Sequence, residues 1–274
     1  MTQKWARLAP LSVWRSTRPQ CGDASRAPRV AFVLAGTPRA FLTSHDLVFS
    51  FLKRVVASFQ AAPGSHIFLH LKGVTAKVAH RKLPEEMFVN NTMPVLIWGS
   101  ERELRRLGEA EAQFNEQCFA FSLAKAAPWW SAMWTGLAMV RVQEKLAKAR
   151  FAMVFFARPD IHYQTDWGPW CSYHPRTWYT GGERVTPDHL WVLPRDHADL
   201  VLSTYDVALK CRVGKQCCNV TGAPVSWWVL RYWSGVRGIT LSGRVPGYGI
   251  VVSSRTQNLS SGPMRGFPVV GMGN

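Results

Sequence analysis

Phe151-Ala-Met-Val-Phe-Phe-Ala-Arg-Pro-Asp-Ile-His-Tyr163 carries most of what can be read from this chain. Its first half, Phe151 to Ala157, is a nearly unbroken apolar run of aromatic and branched residues. That is the composition of a strand covered on both faces in a parallel sheet, with a buried helix as the alternative that periodicity leaves open. Pro159 then removes a backbone donor, ends regular pairing and biases Arg158 toward an extended conformation. Polar groups at the carboxyl end of a central parallel strand face the crevice in which open α/β sheets bind ligands. Asp160 and His162 are two apart, so in an extended segment both project to the same side. A carboxylate and an imidazole converging there, with a guanidinium beside them, suit a divalent metal and an anionic ligand. The competing reading is a strand-ending turn in which Arg158 and Asp160 pair with each other and His162 lies on the surface.

Upstream, Arg29 to Ala35 reads as a first buried strand, followed by the turn Gly36-Thr37-Pro38-Arg39 and a helix from about Ser44 to Gln60, with Ser44 as its cap. Strand, glycine turn and helix in this order open a nucleotide-binding α/β unit. Gly36 lets backbone approach a ligand, and Arg39 has the fork to hold a phosphate, against the plainer reading of a surface arginine in a turn. There is no G-x-G-x-x-G, so a dinucleotide fingerprint is absent. Ser65 to Leu71 and Pro94 to Trp98 read as further strands, with His66 and His70 as tolerated strand histidines rather than ligands. A helix is expected over Ser100 to Leu107. Another spans about Ser131 to Ala149, with Met133, Leu137, Val140 and Leu146 as its apolar stripe. The alternation predicts an α/β fold with a mostly parallel, Rossmann-like sheet flanked by helices.

Downstream of Tyr163 the chain is rich in Trp, Pro and Gly through Gly182, and Trp167 belongs to a loop where an acceptor could rest on aromatic surfaces. A strand follows from Asp188, leading into a helix from about Asp196 to Leu209 that Asp196 would cap. Asp188, just ahead of the strand, is the candidate base, or else an acid supporting the site from behind it. A helix over Pro224 to Ser234 and a late strand ending at Arg255 complete the expected elements. The organisation is a poorly ordered leader (1–28), a single α/β domain (29–255) and an irregular tail (256–274).

Composition narrows the functional classes. The 274-residue chain is 47% hydrophobic, enough for a substantial core and outside the range of disordered chains. A formal charge of +16 implies affinity for something anionic, but Lys and Arg are spread along the chain rather than gathered in a nucleic-acid module. None of the six cysteines forms a C-x-x-C pair, which argues against a structural zinc site. Cys211 with Cys217 or Cys218 could close a small disulfide. Acceptor sequons begin at Asn90, Asn219 and Asn258, and with the cysteines they favour a Golgi or secretory lumen over the cytoplasm. No apolar run is long enough for a transmembrane segment.

In motif order the chain resembles the GT-A-like nucleotide-diphospho-sugar glycosyltransferases, in particular those with an Arg-Pro-Asp motif. The resemblance rests on Leu34-Ala-Gly-Thr-Pro-Arg-Ala-Phe41, on Ala157-Arg-Pro-Asp-Ile-His-Tyr163, on Asp188 to Asp196 and on the late strand ending in arginine. It implies a nucleotide-sugar donor, a glycan, protein or lipid acceptor, and Asp160 with His162 as ligands of Mn2+ or Mg2+. Arg39 and Arg158 would reach the donor phosphates or ribose. The second acid of the metal motif is missing, and Pro224-Val225 stands where a Pro-Glu is common. The alternative is a catalytically degenerate α/β scaffold binding a polyanion or nucleic acid. An α/β methyltransferase would want a Gly-rich loop after the first strand, which Gly36-Thr37-Pro38-Arg39 does not supply.

Overall fold

The computed structural model describes residues 21–38, 40–88, 93–97, 121–174, 176–180, 190–199, 240–242 and 250–252. Seven strands form one sheet in the order β3-β2-β1-β4-β7-β6-β8: β1 (Val30–Gly36), β2 (His66–Leu71), β3 (Val95–Ile97), β4 (Met153–Ala157), β6 (Thr177–Thr180), β7 (Leu190–Pro194) and β8 (Thr240–Ser242). Strands β3, β2, β1 and β4 are mutually parallel, while β7 runs against both its neighbours. Between β4 and β6 in sequence, β5 (Ile161–Tyr163) leaves the main sheet and pairs antiparallel with β9 (Ile250–Val252). This is an α/β fold with a mostly parallel, Rossmann-like sheet flanked by helices.

The sheet is covered on both faces, which is why β1 and β4 are apolar at every position rather than at alternate ones. One face of β1 presents Val30, Phe32 and Leu34 to the helix that follows it, where Leu47, Val48, Phe51, Leu52, Val55, Val56 and Phe59 are buried. That helix is α1 (His45–Ser50), continued as wider π turns over Phe51–Ala57. Ser44 caps it as expected, its hydroxyl accepting from the Leu47 amide at 3.4 Å. Further along are α2 (Ala76–Lys82) and the long α3 (Phe121–Ala147), which packs against β1 and β2. Gly136 of α3 lies so close to β1 that a Cβ there would stand 2.4 Å from Val33 Cγ1.

Four expectations need correction. Met133, Leu137 and Val140 are buried, but Leu146 is 73% exposed. Leu146 follows Leu137 by a spacing that places it about half a turn away, on the opposite face. The helix after β7 begins at Arg195, so Asp196 lies inside its first turn and pairs with Arg150 at 2.6 Å instead of preceding the helix as a cap. The leader is structured from residue 21: Cys21 forms a disulfide with Cys171, and the Ala62 amide donates to Pro28 O at 2.9 Å. Trp167 is fully buried, edge-on to Phe155 and Tyr163 at 5.3 and 5.8 Å, so its indole fills the core and offers no acceptor shelf. The loop that holds it is drawn onto α1 because the Trp167 amide donates to Ser58 Oγ and Arg54 O, while Arg54 pairs with Asp166 at 2.8 Å.

The expected helices over 100–107 and 224–234, the sequons and the cysteines at 211, 217 and 218 lie outside the described residues. Among those described, no helix is long and apolar enough to cross a membrane.

Candidate functional site

The strand order reverses at one place. From β1 the chain builds outward through β2 to β3, and then returns to the other side of β1 to lay down β4. Loops leaving β1 and β4 at their carboxyl ends therefore border the place where open α/β sheets form a ligand crevice. In-register pairing of Leu34 with Ala157 brings Gly36 and Pro159 to the lip of that crevice. Gly36 adopts φ +137°, and a Cβ on it would lie 3.5 Å from Pro159 Cδ. The positive φ, more than the contact, makes glycine the residue of choice there. Thr37 beside it is exposed. The residues singled out after β1 and after β4 thus converge, although far apart in sequence.

At the end of β4, Arg158 and Asp160 form a two-pronged pair across Pro159. Nε donates to Oδ1 at 2.9 Å and Nη2 to Oδ2 at 2.7 Å. The carboxylate side chain is 2% exposed and the guanidinium side chain 17%. Both Asp160 oxygens are thus engaged by one cation in the geometry that suits a planar fork. His162 is half-buried in β5, between the buried Ile161 and Tyr163. Tyr163 is held by its own amide, which donates to Ser50 Oγ of α1 at 3.2 Å. The pairing of Arg158 with Asp160 is what the plainer reading expected, but it sits at the crevice rather than on an unrelated surface.

A divalent cation at Asp160 would have to share a carboxylate whose side chain is 2% exposed and which accepts two hydrogen bonds from Arg158. Among the described residues no group of three or more His, Cys, Asp or Glu side chains is placed to hold a metal ion. Arg39 and Asp188 lie outside the described residues. The strand that follows Asp188 enters the sheet at this same edge, with Leu190 opposite Ala157.

A second polar cluster, which sequence reading missed, occupies the opposite end of β4. Arg195 is 4% exposed and donates through Nε and Nη2 to Glu144 at 2.9 and 2.8 Å and through Nη1 to Asp199 at 2.5 Å. Arg141 also meets Asp199, at 2.8 Å, and Glu144 accepts from the Phe151 amide at 3.0 Å. Burial opposes the Arg195 charge, but its bonds to Glu144 and Asp199 prevail and raise its pKa. Burial likewise pushes the Asp199 carboxyl upward, and the hydrogen bonds and charges of Arg195 and Arg141 outweigh it, so the net shift is downward. The Pro194-Arg195-Asp196 tripeptide was visible, but nothing local signals that its arginine turns inward.

The same edge holds His66, whose Nδ1 lies 2.9 Å from Gly64 O and whose Nε2 lies 3.2 Å from Gln143 Nε2. A neutral ring that donates from Nδ1 and accepts at Nε2 satisfies both contacts. Burial, foremost, keeps its pKa below the usual imidazole value.

The fold defines an α/β protein whose strand order reverses between two parallel strands, β1 and β4. The chain matches no protein-family model, and no curated protein is similar to it in sequence.

Proposed function

We propose that the protein is a glycosyltransferase of the GT-A-like kind, moving a sugar from a nucleotide-diphosphate donor to a glycan, protein or lipid acceptor. The observation that carries this reading is the convergence of Gly36 and Arg158 on the crevice where the strand order reverses. Parallel sheets bind nucleotides at such points because diverging loops leave backbone and side-chain donors facing one gap. Two of the four stretches that carry the resemblance, those beginning at Leu34 and at Ala157, start on the strands that flank the gap.

In this reading the donor diphosphate lies against the Gly36-Thr37 backbone, with the Arg158 and Arg39 guanidinium groups toward its oxygens. Breaking the sugar–phosphate bond builds negative charge on the departing diphosphate, and fixed cations at that place lower the barrier. Asp188 is the proposed base for the acceptor hydroxyl. No step is assigned to Mn2+ or Mg2+. The Cys21–Cys171 disulfide supports an oxidising compartment such as the secretory lumen.

The test is a melting-temperature panel of UDP, GDP, CMP and ADP, each with Mn2+ and with EDTA, on the wild type and on Gly36→Val. One nucleotide should raise the wild-type Tm, and Gly36→Val should lose that rise, because a branched residue at φ +137° displaces the loop. Silence across the whole panel, together with salt-dependent binding of an oligonucleotide, would favour the degenerate polyanion-binding scaffold instead.

A further inference from the structure

We propose that the outer face of α2, headed by Lys72, is a docking surface for an acidic glycan, a saccharide chain bearing sulfate or carboxylate groups. The inference deepens the transferase reading and rests on it in one respect: the docked glycan is the acceptor.

Lys72 directly follows β2, and its amide donates to Gly36 O at 2.9 Å, so it stands beside the glycine turn at the carboxyl edge of the sheet. Three residues on, Thr75 caps α2, its hydroxyl accepting from the Val78 amide at 3.3 Å. The helical period then sorts the side chains of α2 by face. Ala79, and Leu83 just past its end, enter the core. Lys77, His80 and Arg81 lie three and four residues apart, share the outward side and are exposed, as are Lys72 and Lys82.

This charge is not offset nearby. The chain holds no Asp or Glu between Asp46 and Glu85. Among the described residues no ion pair engages Lys72, Lys77, Arg81 or Lys82. By contrast Arg54, Arg141, Arg150, Arg158 and Arg195 each meet a carboxylate. Cations that look scattered in the sequence are thus sorted by the fold, and an uncompensated run of them lies along α2. Seven helical residues span about 10 Å, so with Lys72 ahead of it the run is a narrow line that begins at the sheet edge.

A line of point charges suits a linear polyanion, and dense Lys and Arg of this kind hold sulfated saccharides or nucleic acid. A helix lying in a membrane surface sets Trp, Phe or Leu opposite its charges for insertion, whereas the side of α2 opposite Lys77 and Arg81 is spent on the core. Between saccharide and nucleic acid, the Cys21–Cys171 disulfide favours the first, since it supports an oxidising compartment where acidic polysaccharides are the polyanions at hand.

The experiment is anisotropy titration of the full chain with a labelled heparin oligosaccharide, a single-stranded oligothymidylate and phosphatidylserine–phosphatidylcholine vesicles, at several salt concentrations. Wild type is compared with two triple variants that lose the same charge. One is Lys72→Gln, Lys77→Gln and Arg81→Gln. The other is Lys145→Gln, Lys148→Gln and Arg176→Gln, at exposed positions away from α2. Wild type should bind the oligosaccharide most tightly of the three probes. The α2 triple should weaken that binding by about tenfold or more and lower its log–log salt slope by about two to three. The control triple should change Kd by less than about threefold.

Equal losses in the two triples would overturn the inference, because binding would then follow net charge alone. Tighter binding of the oligothymidylate or the vesicles, lost in the α2 triple, would also overturn it and assign the surface to nucleic acid or membrane. Lys77→Gln alone, expected to weaken binding by about threefold, decides should the triple fail to fold. The nucleotide melting panel, run on the same proteins, separates this inference from the reading beneath it. Stabilisation by a nucleotide should persist in the α2 triple. A silent panel on a wild type that still binds the oligosaccharide through α2 would strike the acceptor role together with the transferase reading, whereas a positive panel without oligosaccharide binding would strike the inference alone.

Discussion

At the amino end of β4, Arg195 holds Glu144 at 2.9 and 2.8 Å. At its carboxyl end, Arg158 holds Asp160 at 2.9 and 2.7 Å. The local geometry is the same, and the consequences differ because of what each fork connects. Arg195 and Glu144 are 51 residues apart, so that fork clamps the end of α3 to the helix after β7 and, through Asp199 and Arg141, closes a network. Arg158 and Asp160 are two residues apart, so the bond between them spans a single turn. A buried charge pair that spans elements becomes costly to break, since each partner is left uncompensated where water cannot reach it. One that spans a single turn does not by itself clamp two elements together.

Breaking the clamp should have the largest effect. Arg195→Met leaves Glu144 and Asp199 without their shared cation and should cost about 3–5 kcal/mol in urea unfolding. Next comes the contact midway between the two ends. Gly136→Ala places a methyl 2.4 Å from Val33 Cγ1. The expected loss is about 1–3 kcal/mol from overpacking, reduced by about 1 kcal/mol of helix propensity. Gly136→Ala combined with Val33→Ala should recover part of that loss if the methyl contact is the cause.

Asp160→Asn should lower stability by only about 1 kcal/mol, the scale of one hydrogen-bonding partner exchanged for a neutral one. An Asp160→Asn cost equal to that of Arg195→Met would erase the distinction between the two ends.

The smallest effect is in pH. His66 and His197 both have pKa values lowered chiefly by burial, so the unfolded chain takes up their protons more readily. Stability present above the ordinary imidazole value of 6.5 should be lost as pH falls from there through each lowered native value. The Asp199 carboxyl is also lowered, and its contribution should disappear only below 3.8, at more acid pH. Urea midpoints followed from pH 7.5 downward should show the histidine loss first. In His66→Phe the first part of that decline should flatten. A midpoint that rises on acidification would contradict the burial of these rings as neutral species.

Much of the scaffold was readable along the chain because its central strands are apolar at every position. Val30 to Ala35 and Met153 to Ala157 have helices on both sides, so their environment imposes a continuous pattern that needs no partner to be seen. Ser44 was readable for the same reason of locality: a hydroxyl just ahead of an apolar helix has an amide to satisfy within one turn. The Arg158–Asp160 pair, two residues apart, was visible as one of two readings. Whether it held a metal or itself depended on geometry.

The unreadable features all depend on distant partners. Leu190 to Pro194 has the composition of any buried strand, and only the return of the chain beside β4 makes it antiparallel. An indole in a Trp-, Pro- and Gly-rich loop suits a ligand wall or a core equally, and the amide bonds from Trp167 back to α1 decide for the core. Cys21 meets Cys171 across a separation of 150 residues, and Arg195 finds Glu144 across 51, distances over which no spacing rule operates. Residue order by itself determined which segments are strands and helices and where polar groups interrupt them, since those choices answer to near neighbours and burial. Only the tertiary structure decided which interruptions face one another, because the crevice between Gly36 and Arg158 exists through the crossover that lays β4 against β1.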